Sequence, residues 1–208
     1  DVPIALSALN QEQLEVLKFR DFNDLAVGMP NVSMDDIGTT KGTQNFSIRG
    51  IGINSSIASV EPAVAIVVDG VYMGVSAGMV FDMFDLESIE VLRGPQGTLF
   101  GKNSTGGVIL VNTALPEDET RQKARLAIEG GGPGGTNNIM QYSLSGPIND
   151  VLKAKISIHR SDDSGYFKNS YDDSNHGQFK QNTIRLAFVY EPSDKFDLAL
   201  RIENSDQD

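Results

Sequence analysis

The stretch Asp85–Thr113, DLESIEVLRGPQGTLFGKNSTGGVILVNT, decides how the rest of the chain is read. Its middle, Leu92–Gly107 (LRGPQGTLFGKNSTGG), holds five glycines, a lysine and a Ser-Thr pair, and at first suggests a loop that cradles phosphate. Such a loop needs glycine, four residues, then Gly-Lys-Ser/Thr, so that backbone amides curl around the phosphate and the hydroxyl beside the lysine holds magnesium. Here Gln96 stands where the first glycine belongs and Asn103 where the hydroxyl belongs. Both ends of the motif fail, and nucleotide hydrolysis is set aside. The apolar runs on either side, Ile89–Leu92 and Val108–Asn112, read as strands, and GKNSTGG as a compact turn leading into the second.

Composition narrows the choices. The 208 residues are 39% hydrophobic and 22% charged, enough for one or two globular domains. A formal charge of -11 argues against DNA or RNA as a partner, because phosphate binding draws on clustered Lys and Arg. Cysteine is absent, which excludes disulfides and thiolate metal sites. The two histidines, His159 and His176, fall in different segments without ligand spacing and are read as polar surface residues. Asp172–Gly177 (DDSNHG) has the outline of a calcium loop, yet His176 occupies a ligand position and Thr183 stands where the bidentate glutamate belongs. Neither a metal nor a cofactor is expected. Carboxylate pairs such as Glu87 with Glu90, or Asp162 with Asp163, have no fixed separation across a cleft, so an enzyme is not expected either. No run approaches the roughly 20 apolar residues of a membrane helix, which leaves β-strands as the route across a bilayer. The start, DVPIALSALN, has neither the basic end nor the apolar centre of a signal peptide, so any such peptide is expected to have been removed.

Two patterns divide the chain. Up to about Pro116, short helices and short strands alternate. Asn10 caps a helix through QEQLEVLKF with Leu14, Val16 and Leu17 mainly to one side, and a second helix starts at Asp21 and stops at Gly28 and Pro30. Strands are expected at Asn45–Ile48 and Ala63–Val68 as well as at the two runs above. The consecutive apolar positions of AVAIVV predict a strand covered on both faces, and Asp69-Gly70 a hairpin turn into VYM. From about Arg121 the pattern becomes long alternation. Ala124, Leu126 and Ile128 oppose Arg125, Ala127 and Glu129; the same beat recurs through Met140–Ser145, Leu152–His159, Ile184–Tyr190 and Phe196–Glu203. GPIND and EPSDK read as short turns, while GGGPGGTNN and Ser161–Gln181 read as longer polar loops. Short turns alternating with long loops fit an outer-membrane barrel, and the same alternation fits a soluble sandwich or a surface binding module. A sandwich needs a second sheet, for which no further strands remain.

Three motifs then stand together. NFSIRGIG (Asn45–Gly52), AIVVDGVYMG (Ala65–Gly74) and the opening stretch resemble, in order and spacing, the plug domain of TonB-dependent outer-membrane receptors. The resemblance implies an α+β plug domain over residues 1–116, followed by antiparallel transmembrane β-barrel strands over residues 117–208. Five strands are too few for a barrel of about 22, a size that holds a plug, so the barrel is incomplete and a piece of a longer receptor is expected. It further implies an importer in the outer membrane of a Gram-negative bacterium, with TonB, outer-membrane lipid and a scarce nutrient such as a ferric siderophore as partners. By resemblance, Arg49 and Arg93 latch the plug to glutamates of the barrel wall; the alternative is local pairing with Asp85, Glu87 or Glu90. The substrate meets apical loops through Asn54, Ser55, Ser56, Tyr72 and Met73. The motif glycines Gly50, Gly70, Gly94, Gly97, Gly101, Gly106 and Gly107 allow close approach and positive φ.

Overall fold

The computed structural model describes residues 5–17, 26, 28–36, 44–53, 55, 57, 60–74, 84–132, 135–165 and 167–207. The helix expected from Asp21 lies outside these residues apart from its last turn. The chain divides into two compact units, Asp1–Ala114 and Leu115–Asp208.

In the first unit, strands β1 (Ala5–Asn10), β5 (Val64–Val68), β6 (Val71–Tyr72), β7 (Leu86–Arg93) and β8 (Gly107–Thr113) form one sheet in the order β1-β7-β8-β5-β6. A second sheet of β2 (Val32–Asp36), β3 (Gln44–Ile48) and β4 (Ile51–Gly52) lies in the order β2-β3-β4. Helix α1 spans Gln11–Leu17 and α2 is a single turn, Gly97–Phe100. The capping of α1 is reciprocal: the Gln13 amide donates to Asn10 Oδ1 at 2.9 Å and the Asn10 amide to Gln13 Oε1 at 3.0 Å. Together they satisfy two otherwise orphaned donors. Of the three apolar residues expected to share a face, only Leu14 is buried; Val16 and Leu17 are exposed.

The strand β5 is buried on both sides. Val64 and Ile66 join the main core with Leu14, Met34, Ile48 and Ile109, whereas Ala65 and Val67 pack with Leu92 and Val108. Burial in two directions is what a consecutive apolar run requires, and β5 pairs in parallel with β8, Val64 opposite Gly107. The turn after it has φ of 49° at Asp69 and 83° at Gly70, both in the left-handed region that a two-residue hairpin turn demands. Asp69 holds that turn to the end of β8. Its Oδ1 accepts from the Thr113 amide at 2.9 Å and its Oδ2 from the Thr113 hydroxyl at 2.7 Å.

The second unit is an open antiparallel sheet of β9 (Arg121–Gly132), β10 (Gly135–Asn149), β11 (Leu152–Asp163), β14 (Phe179–Ser193) and β15 (Phe196–Gln207), in the order β15-β14-β11-β10-β9. A small hairpin, β12 (Phe167–Lys168) with β13 (Asn175–His176), fills the connection between β11 and β14. The strands outrun their alternating cores. β10 continues through GPIND as far as Asn149, and β14 through Glu191 and Pro192 to Ser193, so each of these turns is only two residues. GGGPGGTNN is not a long loop: Gly132 pairs with Gly135, and a register shift between Gly135 and Thr136 absorbs the irregularity. At 12 to 15 residues each, all five strands exceed the roughly 9–11 needed to cross a bilayer at a tilt.

Candidate functional site

The two faces of the second sheet decide its solvent. Register places Leu144, Ile156, Leu186 and Ile202 in one row on one face, and Ser143, Ser157, Arg185 and Glu203 in a neighbouring row on the other. The polar face is the buried one: Gln141, Ser143, Ser145, Lys155, Ser157 and Thr183 are all buried. The apolar face is open, with Leu126 at 79% and Ile128 at 78% exposure. A water-soluble sandwich turns its apolar side chains inward. Here polarity is inverted, as a barrel wall in lipid requires.

His159 follows from the same inversion. It was expected at the surface, yet it is buried on the polar face, its Nδ1 3.0 Å from Gln141 Nε2. Alternation assigned it to the polar side correctly; what failed was the equation of polar with solvated. His176 is exposed, and its Nε2 lies 3.3 Å from the Ser174 hydroxyl.

One end of the first unit gathers most of the motif residues. Gly106 and Gly107 lie under Ile51 and Ile48: a Cβ on Gly106 would stand 2.9 Å from the Ile51 carbonyl oxygen, and one on Gly107 would stand 2.7 Å from Ile48 Cδ1 and 2.3 Å from the Leu92 carbonyl oxygen. This approach brings the Arg49-Gly50 turn between β3 and β4 to the end of the sheet where Arg93 pairs with Gly107. Gly97 differs from the other motif glycines. It has no positive φ and open space where a Cβ would stand, so its backbone makes no demand for glycine.

Arg49 has φ of 53° and an exposed side chain; its amide donates to the Asn31 carbonyl at 2.8 Å. Arg93 is half-buried. Its Nη1 donates to the Ser7 hydroxyl at 2.8 Å, which ties β7 to β1, and its Nε is buried without a hydrogen-bond partner. Among the described residues neither arginine forms an ion pair with Asp85, Glu87 or Glu90.

The apical residues are arranged differently from expectation. Tyr72 and Met73 lie on opposite faces, Tyr72 against the Ala65–Val67–Leu92 cluster and Met73 against the main core, so they do not present one joint apolar surface. The Tyr72 hydroxyl accepts from Asn103 Nδ2 at 2.7 Å. Ser55 is half-buried and its hydroxyl accepts from the Ile57 amide at 3.3 Å; Asn54 and Ser56 lie outside the described residues. Sequence reasoning missed the clasp beside them. Lys102 donates to Glu61 and thereby joins the GKNSTGG turn to the loop before β5. The Glu61 hydrogen bond and then its charge raise the Lys102 pKa above its ordinary 10.5, so the ammonium persists through neutral and mildly alkaline pH. The turn itself closes through the Ser104 hydroxyl, which donates to the Gly101 carbonyl at 2.7 Å, and through the Gly106 amide, which donates to the Ala63 carbonyl at 2.9 Å.

A small α+β unit with a doubly covered inner strand, followed in the chain by strands whose apolar side is open and polar side buried, defines a protein of the plug-and-barrel class. The family model for the TonB-dependent receptor plug domain matches residues 1–108, and the chain belongs to the TonB-dependent receptors of the outer membrane. The pesticin receptor of Yersinia pestis is 34% identical over 138 residues, covering 66% of this chain and 19% of that receptor. The iron-regulated outer membrane virulence protein of Vibrio cholerae serotype O1 is 24% identical over 225 residues, covering 100% of this chain and 32% of the relative. Among solved structures, the ferric yersiniabactin uptake receptor FyuA of Yersinia pestis superposes with a TM-score of 0.80 at 25% identity, covering 99% of this chain and 32% of that one. The chain thus spans about a fifth to a third of the length of these relatives.

Proposed function

We propose that the intact protein is an active-transport receptor, not an enzyme, which binds a ferric siderophore and admits it when TonB rearranges the plug. The observation that carries this reading is the plug match over residues 1–108 ahead of strands with an outward apolar face. Iron is favoured by the similar proteins: besides those above, the ferrioxamine B receptor of Salmonella typhimurium is 24% identical over 156 residues. On this reading residues 1–116 are the plug and 117–208 the first part of the barrel wall. The test is accumulation of radiolabelled iron from a panel of ferric siderophores by cells carrying the intact gene, with and without TonB. Uptake of at least one chelate that is lost without TonB is the expected result. Uptake indifferent to TonB, or confined to cobalamin, overturns it.

Arg49 and Arg93 serve in this reading as the latch. The buried, unpartnered Nε of Arg93 supports it, because a guanidinium edge withdrawn from water is stable only beside an acceptor. Double substitution Arg49→Ala with Arg93→Ala in the intact receptor should loosen plug retention and lower transport; unchanged retention and transport refute the latch. Substrate contact falls to the loops bearing Asn54, Ser55, Ser56 and Tyr72, joined by the Lys102–Glu61 clasp. Met73 is a weaker member, since its side chain packs against the core. Single alanine substitutions at Asn54, Ser55, Ser56 and Tyr72 should each weaken siderophore binding to the intact receptor, and unchanged affinity in all four removes the loops from the site.

A further inference from the structure

The segment that joins the two units is fastened at both of its ends. Toward the first unit, the Thr113 amide and hydroxyl both donate to Asp69, and the Ala114 amide donates to the Asp85 carbonyl at 3.1 Å. Toward the second, the Glu117 amide donates to the hydroxyl of Ser145, a buried residue of β10, at 2.9 Å. Only Leu115 and Pro116 stand between these two sets of bonds. Pro116 is buried, its ring fixes its own φ, and it confines Leu115 to extended backbone, so the join carries little slack.

Past Glu117 the chain stays on the sheet. Lys153 of β11 shares the polar face with the buried Lys155 and Ser157; its ammonium donates to Asp118 at 2.5 Å and to Glu191 of β14 at 2.9 Å. Glu191 is set in turn by its own amide, which donates to the Val151 carbonyl at 2.8 Å. One ammonium thus ties the joining segment to two strands. Arg121 pairs with Glu117 at 3.0 Å, and Gly146 gives Thr120 its place on β10, since a Cβ there would stand 2.9 Å from Thr120 Cα and Oγ1. A lone exposed ion pair contributes little, whereas here two carboxylates share one half-buried ammonium beside a backbone bond to a buried serine. We propose that Lys153 is a positioning residue for transport: with Ser145 it keeps residues 117–120 on the wall while TonB acts, so that rearrangement is confined to residues ahead of Ala114. A pull transmitted through β8 meets these bonds at once, because Leu115 and Pro116 have no length to give. The proposal rests on the importer reading of the intact protein.

The test uses the intact receptor with Glu117→Cys and Ser145→Cys as its only cysteines. The bond between these residues brings their backbones within reach of a disulfide, and mass spectrometry measures its formation. Uptake is read with radiolabelled iron, supplied as whichever chelate of the siderophore panel wild-type cells accumulate fastest. The oxidised receptor should transport it within about twofold of the same receptor reduced. A cross-linked receptor that binds the chelate and no longer admits it shows that the segment must leave the wall, and overturns the proposal. Lys153→Met leaves Asp118 and Glu191 exposed to water, so the barrel should still fold, as heat-modifiable migration checks. Amide exchange at residues 117–120 should then quicken about fivefold and uptake slow about threefold at unchanged affinity for the chelate, with Lys153→Arg restoring both. Exchange or uptake equal to wild type in Lys153→Met, or an arginine variant no better than the methionine one, also overturns it. A wild type without TonB-dependent uptake indicts the importer reading instead, and the exchange measurement still decides whether Lys153 fastens the segment.

Discussion

Leu200 and Ala199 on β15 offer the sharpest test of which face meets lipid. Both are exposed in this sheet, Leu200 at 50%, and they point to opposite sides, Leu200 with Leu198 and Ile202, Ala199 with Arg201 and Glu203. Were the sheet bathed in water, Leu200→Arg would be an ordinary surface change worth less than about 0.5 kcal/mol. In a bilayer the same arginine sits within the outward apolar run Phe196–Ile202. Charged substitution on the lipid face costs about 2–4 kcal/mol at the midplane and less toward the interfaces. Leu200 is roughly mid-run but the run is short, so the expected cost is about 2–3 kcal/mol, or roughly 30- to 160-fold in the folding equilibrium. Ala199→Arg, one residue along on the face that already carries Arg201, should cost less than about 1 kcal/mol. The assay is urea-dependent folding of the intact receptor into phospholipid vesicles, followed by heat-modifiable migration. Equal midpoints for the two variants, or a larger penalty at Ala199, would refute the assignment of faces and with it the membrane reading of the second unit.

Further outcomes follow from the first unit and the hairpin. Gly107→Ala places a methyl 2.3 Å from the Leu92 carbonyl oxygen, a backbone atom that cannot swing aside, and should destabilise the plug by about 2–3 kcal/mol, seen as faster amide exchange in β7 and β8 of the intact receptor. Protection equal to wild type would show that the sheet yields there. Asp69→Ala removes two acceptors from Thr113 and leaves alanine in a left-handed turn; a loss of about 3 kcal/mol is expected in the same exchange experiment, with Asp69→Asn intermediate. Asp172 at the hairpin tip is held below its ordinary 3.8 by the Ser174 hydroxyl and then the Ser174 amide. Its contribution to the hairpin is therefore complete above about pH 4 and is lost as pH falls through the lower folded value; Ser174→Ala should move the titration of Asp172, followed by NMR, upward.

Much of this was legible because local rules and tertiary demands agreed. The AVAIVV run announced a strand with no solvent face, Asp69-Gly70 its turn, and Asn10 with Gln13 a helix start, each from residues within a few positions of one another. The five alternating segments gave the second sheet and its two faces. What stayed hidden depended on partners far along the chain. β1 carries an unremarkable ALSALN, and it is a strand because Ala5 through Asn10 find the free edge of β7. Residues Glu191–Ser193 look like a turn by composition and extend β14 nonetheless, since β15 offers Phe196 opposite Ser193. The fate of His159 turned on whether the polar side was wet, which alternation does not encode. At the site, Lys102 gave no hint of Glu61, 41 positions earlier, and the adjacency of Tyr72 and Met73 suggested one surface where strand geometry dictates two.

The seam between β1 and β7 also has a mechanical meaning. It contains six cross-strand pairs, running from Ala5 opposite Arg93 to Asn10 opposite Ser88, and among the described residues β1 is bordered on one side only. A tug applied ahead of Ala5 and across the strand meets these pairs in succession, like teeth of a zipper, never all at once. The Ser7–Arg93 bond stands near the head of that series. The first ribbon to peel away is thus also the one whose departure frees the Arg93 guanidinium, while the doubly covered β5 behind it need not move.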